Sequence, residues 1–385
     1  MNSHHDPGHS GARQDGLPRN PATGRPEPDA KTVNRAVAAS AIGNATEWFD
    51  YGVYAVSVVY ITQNFFPGEY GGAATFMAEY APDKKRGFLG SFLEFGTLGG
   101  FALGSLIVLS GEVVLGNEAM NEWGWRIPFL LAGPMGLVGL YLRSRLADSP
   151  IFLELEEAGH AESSAGTALK DLLTQYWRPM LTMTGLVIAL NVVNYTLLSY
   201  MPTYLEGQTG MDSRTVLTIM FVAQFAMMLV IPFAGALSDR VGRKPMWYVS
   251  LIGLFVLAIP MYMLMANGFW WALLGFAVLG LLYIPQLATI SATFPAMFPT
   301  HVRYAGFAIT YNLATAVFGG TAPLANEALI EATGTPLVPA FYMMAACVVG
   351  LIAVRTMKET VGASLRGTEI PETKPQDIIR ARARA

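Results

Sequence analysis

Two carboxylates lie inside an otherwise apolar stretch near the start of the chain. Glu47 and Asp50 are three positions apart, so a helix places them on one face. A helix counted from about residue 36 carries Glu47 about 17 Å into a bilayer, close to its middle. An ionised carboxylate is costly there, so Glu47 should take up protons readily. The pattern predicts a proton site, and the alternative is a buried ion pair with Arg or Lys from another helix.

The neighbours of these carboxylates suit a small organic cation. Asn44 and Tyr51 extend the same polar stripe, and Trp48 and Tyr51 offer aromatic rings to a quaternary ammonium group. We therefore expect this helix face to line a proton and substrate site.

Further polar residues interrupt other apolar segments. Glu94 is a second candidate proton site, with a packing or paired role as the alternative. Asn191 and Asn194 could line a cavity, and hydrogen bonds between helices are the alternative. The same two readings hold for Tyr195, Gln224, Gln286 and Asn312.

The composition predicts an all-α, polytopic membrane protein. Hydrophobic residues make up 52% of the chain and charged residues only 14%, against roughly 25% in soluble domains. Apolar runs of membrane-spanning length predict about nine full spans and one short one. They are 36–63, 69–80 (the short one), 88–111, 124–146, 177–205, 213–237, 246–266, 270–298, 304–331 and 336–356.

Charge and motif content exclude several classes of function. A net charge of −3 gives no reason to expect nucleic-acid binding, and the single Cys347 gives no disulfide framework. Neither an enzyme motif nor a metal or cofactor site is predicted. The expected surroundings are a lipid bilayer.

The distribution of Lys and Arg predicts the orientation. Short basic loops favour the cytoplasm, so both termini should be cytoplasmic in the cell (inner) membrane. The predicted divisions are 1–35 as a disordered cytoplasmic tail, 36–146 as an incomplete first helical half, 147–176 as a cytoplasmic linker, 177–357 as a six-span second half, and 358–385 as a cytoplasmic tail.

A dense charge cluster lies between two of these spans, at 235–245, with the sequence G-A-L-S-D-R-V-G-R-K-P. A topology anchor is one interpretation. The cluster also resembles the signature loop of major facilitator superfamily transporters. That resemblance implies a charge network that holds the cytoplasmic side shut in the outward-facing state. Its residues here are Gly235, Asp239, Arg240, Gly242, Arg243 and Lys244.

An internal repeat predicts two related halves. Residues 74–87 and 292–303 both contain Ala-Thr-Phe and then Pro-x-x-x-Arg, which ends at Arg86 and at Arg303. Residues 178 and 303 are 125 positions apart, whereas 36 and 86 are only 50 apart. The first half therefore lacks about 75 residues, and we place this loss at Pro67–Glu69.

Four motifs narrow the resemblance to the metabolite:proton symporter family, and most to its proline/glycine-betaine:proton symporters. They are G-N-A-T-E-W-F-D-Y-G-V-Y, A-E-Y-A-P-D-K-K-R-G, W-G-W-R-I-P-F and F-P-T-H-V-R-Y. The resemblance implies proton-coupled symport of a small zwitterion by alternating access. Transport of an organic acid, such as 2-oxoglutarate, citrate or shikimate, is one alternative. A truncated membrane remnant or subunit without transport is another.

Overall fold

The computed structural model describes residues 81–131, 165–365 and 369–373, with separate positions at 31, 33–35, 37–38, 41, 74–75 and 77–79. Every regular element within this part of the chain is helical. The α-helices are α1 (Arg86–Ala119), α2 (Ala165–Thr174), α3 (Trp177–Asn194), α4 (Met201–Thr209), α5 (Ser213–Val241), α6 (Arg243–Met265), α7 (Phe269–Leu287), α8 (Ile290–Thr293), α9 (Arg303–Ala314), α10 (Ala322–Thr333) and α11 (Val338–Thr356).

Six helical stretches among the described residues are long and apolar enough to cross a membrane. They are Asp83–Gly124, Trp177–Ser199, Ser213–Val241, Arg243–Met265, Phe269–Thr293 and Val338–Thr356. The all-helical membrane fold predicted from composition is confirmed. The described positions of the first two predicted spans, 37–38 and 41, and 74–75 and 77–79, are also helical.

The sequence predicts a non-helical connection between residues 111 and 124, and the connection in the structure is much shorter. Gly116 has φ 82°, a left-handed conformation that interrupts α1, and a π-helical turn follows at Met120–Gly124. A Cβ on Gly111 would lie 3.0 Å from the sulfur of Met120, so the chain folds back on itself after Gly116. One glycine therefore makes the turn.

The predicted span 304–331 is helical but consists of three pieces. A π-helical turn at Thr315–Gly319 separates α9 from α10, and Pro323 stands in the first turn of α10. Proline lacks an amide hydrogen and clashes with the carbonyl four residues earlier, so it favours a new helix start here.

The loop predicted between the spans 213–237 and 246–266 reduces to a single residue. Helix α5 runs on to Val241 and α6 begins at Arg243, with Gly242 between them at φ 99°. Most of the charged motif is thus helical, and only its second glycine adopts a conformation that other residues rarely take.

Helices α1 and α5 pack against each other, and their backbones approach closely at Gly87 and Gly235. A Cβ on Gly87 would lie 2.6 Å from the Gly235 carbonyl oxygen, and one on Gly235 would lie 2.5 Å from that of Gly87. The absence of both side chains lets the two backbones touch. We call this the gating-loop end of the pair.

The far end of the same helix pair is joined through side chains. Ser213 Oγ donates to Glu112 Oε1 at 2.7 Å, and Arg214 Nη2 donates to the Glu112 carbonyl oxygen at 2.9 Å. Asp212 caps α5, accepting from Thr215 N at 3.0 Å and from Thr215 Oγ1 at 2.7 Å. These hydrogen bonds lower the pKa of the exposed Asp212 carboxyl.

The main core lies among the helices of the second half. Trp247, Phe276 and Phe307 are fully buried there, and the Trp247 and Phe294 rings pack with centroids 5.8 Å apart. Helix α2, in the predicted linker, places Leu172 in this core. The chain after α11, predicted as a tail, is hydrogen-bonded to the helices through residues 359–365.

Candidate functional site

Asp239, on α5, connects that helix to α1 at the gating-loop end. Its Oδ1 accepts from Gly87 N and its Oδ2 from Phe88 N, both at 2.8 Å. These amides belong to the first turn of α1, where no helical carbonyl is available and the helix dipole favours an anion. A carboxylate of the second half therefore caps a helix of the first half.

Arg243 completes this contact from α6. Its Nη2 lies 2.7 Å from Asp239 Oδ1, and its Nη1 donates to Ser238 Oγ. Arg243 is fully buried. A buried guanidinium needs a charged partner, so Arg243 and Asp239 form one unit.

The other charged residues of the motif, Lys244 and Arg240, differ from Asp239 and Arg243 in their contacts. Lys244 Nζ donates to the Arg355 carbonyl oxygen at 3.4 Å. Arg240 is exposed and makes no side-chain hydrogen bond within the described residues. Of the predicted gating residues, Gly235, Asp239 and Arg243 thus form the contact. Gly242 makes the turn between α5 and α6, and Arg240 lies outside the contact.

The repeat-related arginines have matching geometry. Arg86 Nε donates to the carbonyl oxygen of Ala78 at 3.2 Å, and Arg303 Nε donates to that of Pro295 at 3.1 Å. Each acceptor lies eight residues before its arginine. Arg303 Nη1 also lies 3.0 Å from Glu79 Oε1, which connects the two repeats.

A segment after α11 lies across both repeats, and we call Glu359–Leu365 the C-terminal strap. The Ala363 carbonyl oxygen accepts from Arg86 Nη1 at 3.0 Å, and that of Leu365 accepts from Arg303 Nη2 at 2.6 Å. The strap therefore supplies acceptors to one buried arginine from each repeat.

Both ends of the strap are held by further contacts. The Leu365 side chain is buried against Ala78 and Ala296. At the other end, the Glu359 carboxylate accepts from Arg243 N at 2.9 Å and Lys244 N at 3.0 Å, the first amides of α6. The sequence analysis missed this strap, because its carbonyl oxygens carry no sequence signal.

A cavity lies between α1 and the second half, away from the gating-loop end. It has an empty volume of about 200 Å³, which includes space that is open to solvent. The residues that line it are Glu94, Thr97, Leu190, Asn191, Asn194, Tyr283, Leu287, Ile290 and Tyr311. Three predicted site residues, Glu94, Asn191 and Asn194, are therefore brought together.

The two asparagines are held by specific contacts. Asn191 Nδ2 donates to the Val187 carbonyl oxygen at 3.1 Å and to Thr315 Oγ1 at 2.9 Å. The Tyr283 hydroxyl lies 3.2 Å from Asn194 Oδ1 and from the Leu190 carbonyl oxygen. Tyr283 and Tyr311 were not predicted, because a tyrosine in an apolar span has no distinguishing pattern.

Two predicted cavity candidates instead join helices. Gln224 Oε1 accepts from Ser105 Oγ at 3.3 Å, and Gln286 Nε2 donates to Ser250 Oγ at 2.7 Å. The predicted site residues Asn44, Glu47, Trp48, Asp50 and Tyr51 lie outside the described residues.

A family model of the Major Facilitator Superfamily matches residues 36–323. The chain belongs to this superfamily. The geometry of Asp239 and Arg243 agrees with the resemblance of their loop to the superfamily's signature.

Two curated relatives are similar over most of the chain. The proline/betaine transporter of Escherichia coli K12 is 41% identical over 311 residues, which cover 78% of this chain and 61% of that protein. The glycine betaine/proline/ectoine/pipecolic acid transporter of Dickeya dadantii is 32% identical over 435 residues, covering 88% of this chain and 86% of the relative.

The second alignment bears on the shortened first half. It runs over 435 positions, more than the 385 residues of this chain, so part of that relative has no counterpart here. This agrees with an internal loss. The predicted position, Pro67–Glu69, lies outside the described residues.

A solved structure shows the same fold. The proton:xylose symporter XylE aligns with a TM-score of 0.57 at 18% identity, covering 87% of this chain and 86% of XylE. The superfamily match, together with the six helical stretches among the described residues that are long and apolar enough to cross a membrane, makes this chain a multi-pass membrane protein.

Proposed function

We propose that this chain is a secondary active transporter that carries a small zwitterion together with protons. Two of its relatives are named as transporters of proline and betaine. The chain spans 61% of the length of the first, so the activity, the substrate and the coupling to protons are all proposed here. No enzymatic reaction is part of the proposal.

The central cavity is the observation that carries this function. Glu94 comes from α1 of the first half, whereas Asn191, Tyr283 and Tyr311 come from the second. A site lined by both halves changes its access when the halves move against each other. Glu94 supplies a buried carboxyl group for proton coupling, together with Glu47 and Asp50 from the first predicted span.

The gating-loop end supplies the second element of the mechanism. With Asp239 capping α1, this end is closed, and opening it requires the loss of two amide hydrogen bonds and the release of the strap. The distribution of basic residues favours a cytoplasmic location for this end and for both termini, with the protein in the inner membrane of the cell. The described state is then closed towards the cytoplasm.

The cavity favours a zwitterion over an organic acid. No Arg or Lys is among its described lining residues. A di- or tricarboxylate in a site of low dielectric needs compensating positive charge. A zwitterion brings its own positive charge to the carboxyl group of Glu94.

The test is uptake of radiolabelled proline and glycine betaine into proteoliposomes under an imposed pH gradient. We expect gradient-driven uptake by the parent protein and loss of proton coupling in Glu94→Gln and in Glu47→Gln. Glu331→Gln is the matched control, because Glu331 is exposed on α10. Uptake that keeps its gradient dependence in both variants would exclude these carboxyl groups as proton sites.

A negative result has a defined meaning. Absence of uptake by the parent, from protein shown to be folded, would favour a non-transporting remnant or an assembly subunit. The missing part of the first half is the reason to keep that alternative.

A further inference from the structure

The orientation of one cavity amide is fixed by its neighbours. Asn191 Nδ2 donates one N–H to the Val187 carbonyl oxygen, which can only accept, and the other to Thr315 Oγ1. Both donors of this amide are therefore engaged within the protein. Its Oδ1 is left as an acceptor, and no described residue donates to it.

The rest of the cavity is also suited to a positive group. Glu94 contributes a carboxyl group, and Tyr283 and Tyr311 contribute aromatic rings. A ring face attracts any cation, whether or not it carries N–H groups. An amide oxygen gains a strong hydrogen bond only from a cation that has an N–H to donate.

We propose that Asn191 is a specificity-determining residue, which accepts a hydrogen bond from the N–H of the bound ammonium group. This inference rests on the proposed function, since it assigns a role within the same cavity. Substrates with a primary or secondary ammonium, such as proline, gain this bond. Quaternary substrates such as glycine betaine have no N–H, and the carboxyl group and the rings alone bind their charge.

The test uses three ligands that differ only at nitrogen: proline, N-methylproline and N,N-dimethylproline, with two, one and no N–H groups. Their dissociation constants are measured by calorimetry on the purified full chain. In Asn191→Leu, which keeps similar volume without an acceptor, we expect proline to bind about ten-fold or more weakly. Binding of dimethylproline and betaine should change less than about three-fold, because neither uses the amide oxygen.

A second variant tests the residue that orients the Asn191 amide and leaves its oxygen in place. Thr315→Val removes one of the two acceptors that hold the Asn191 amide, and should weaken proline binding less than Asn191→Leu does, with the same ligand order. Asn326→Leu is the control, because Asn326 is buried and bonds to Thr196 at 3.3 Å. It should not change the ratio of proline to dimethylproline affinity.

The outcomes are distinguishable. Equal losses for all three ligands in Asn191→Leu would overturn the role of Asn191, and so would absence of any binding by the parent. Binding with the expected ratios but without uptake in proteoliposomes would support Asn191 while refuting transport by this chain.

Discussion

The two ends of the α1–α5 pair are joined in different ways. At the gating-loop end, Gly87 and Gly235 bring the backbones together, and Asp239 bonds directly to two backbone amides. At the far end, the Glu112 and Ser213 side chains span the gap. The first contact includes two backbones in direct approach, which have no side chain to rotate, whereas the second consists of side-chain hydrogen bonds alone and can change by rotating side chains.

This difference indicates what each end can do. A contact between backbones has no intermediate arrangement, so the gating-loop end should be either fully closed or open. At the far end, the distance between α1 and α5 can change gradually. For alternating access, we therefore expect the free-energy difference between the two states to be concentrated at the gating-loop end.

The largest effect on stability and on closure of the gating-loop end should follow the loss of the Asp239 charge. Asp239→Asn leaves the buried Arg243 without its ion pair and turns an N–H donor towards α1. Breaking such a pair costs about 3–5 kcal/mol. The melting temperature in detergent should fall, and a fluorophore at the gating-loop end should report opening.

Arg240→Gln is the matched control, because Arg240 is a neighbouring charge that is exposed. It should leave both measurements close to those of the parent. Equal effects of the two variants would mean that loop charge in general, and no specific cap, closes this end.

A smaller effect is expected from a methyl group between the backbones. In Gly235→Ala the added Cβ would lie 2.5 Å from the Gly87 carbonyl oxygen, so the helices must separate. Overpacking of this kind costs about 1–3 kcal/mol. Gly207→Ala is the control, since nothing lies within 4 Å of its added Cβ. A stable, closed Gly235→Ala protein would contradict the close backbone approach.

At the far end, Glu112→Gln should have a modest effect. The amide oxygen of the variant can still accept a hydrogen bond from Ser213, so the free energy of unfolding should fall by about 1 kcal/mol or less. Double electron–electron resonance between labels at this end should show a shift in distance without opening of the gating-loop end. Opening of both ends by this variant would refute the contrast between them.

The smallest effect should come from the exposed cap of α5. Asp212→Ala removes the acceptor for Thr215 and should cost about 1 kcal/mol. Because the pKa of Asp212 is lowered, its contribution is present above the ordinary pKa of Asp and is lost as the pH falls through the lowered value. Thermal unfolding of parent and variant should therefore differ at pH 7 and converge in acid; a constant difference would argue against the cap.

The sequence predicted those parts of the fold that follow from hydropathy. The long apolar runs located the helices, and the charge cluster located the contact between the halves. The extent of the helices was not predictable there, because α5 and α6 continue through charged residues, of which Asp239 and Arg243 pair with each other. Hydropathy cannot show that Asp239 has α1 amides as partners.

The cavity was predictable only in part for a similar reason. Glu94, Asn191 and Asn194 are conspicuous as polar residues in apolar spans. Tyr283 and Gln286 lie three positions apart on the same helix, yet one lines the cavity and the other bonds to Ser250. Only the packing of α7 against its neighbours separates these two roles.

The C-terminal strap also sets an order of events during synthesis. Glu359, Ala363 and Leu365 leave the ribosome after every described membrane span, yet they supply acceptors to Arg86, Arg303 and the start of α6. Until they emerge, the buried arginines lack those partners and the halves cannot fully close at this end. A nascent chain stalled before residue 359 thus carries every described membrane span and still exposes an incomplete face to chaperones and proteases.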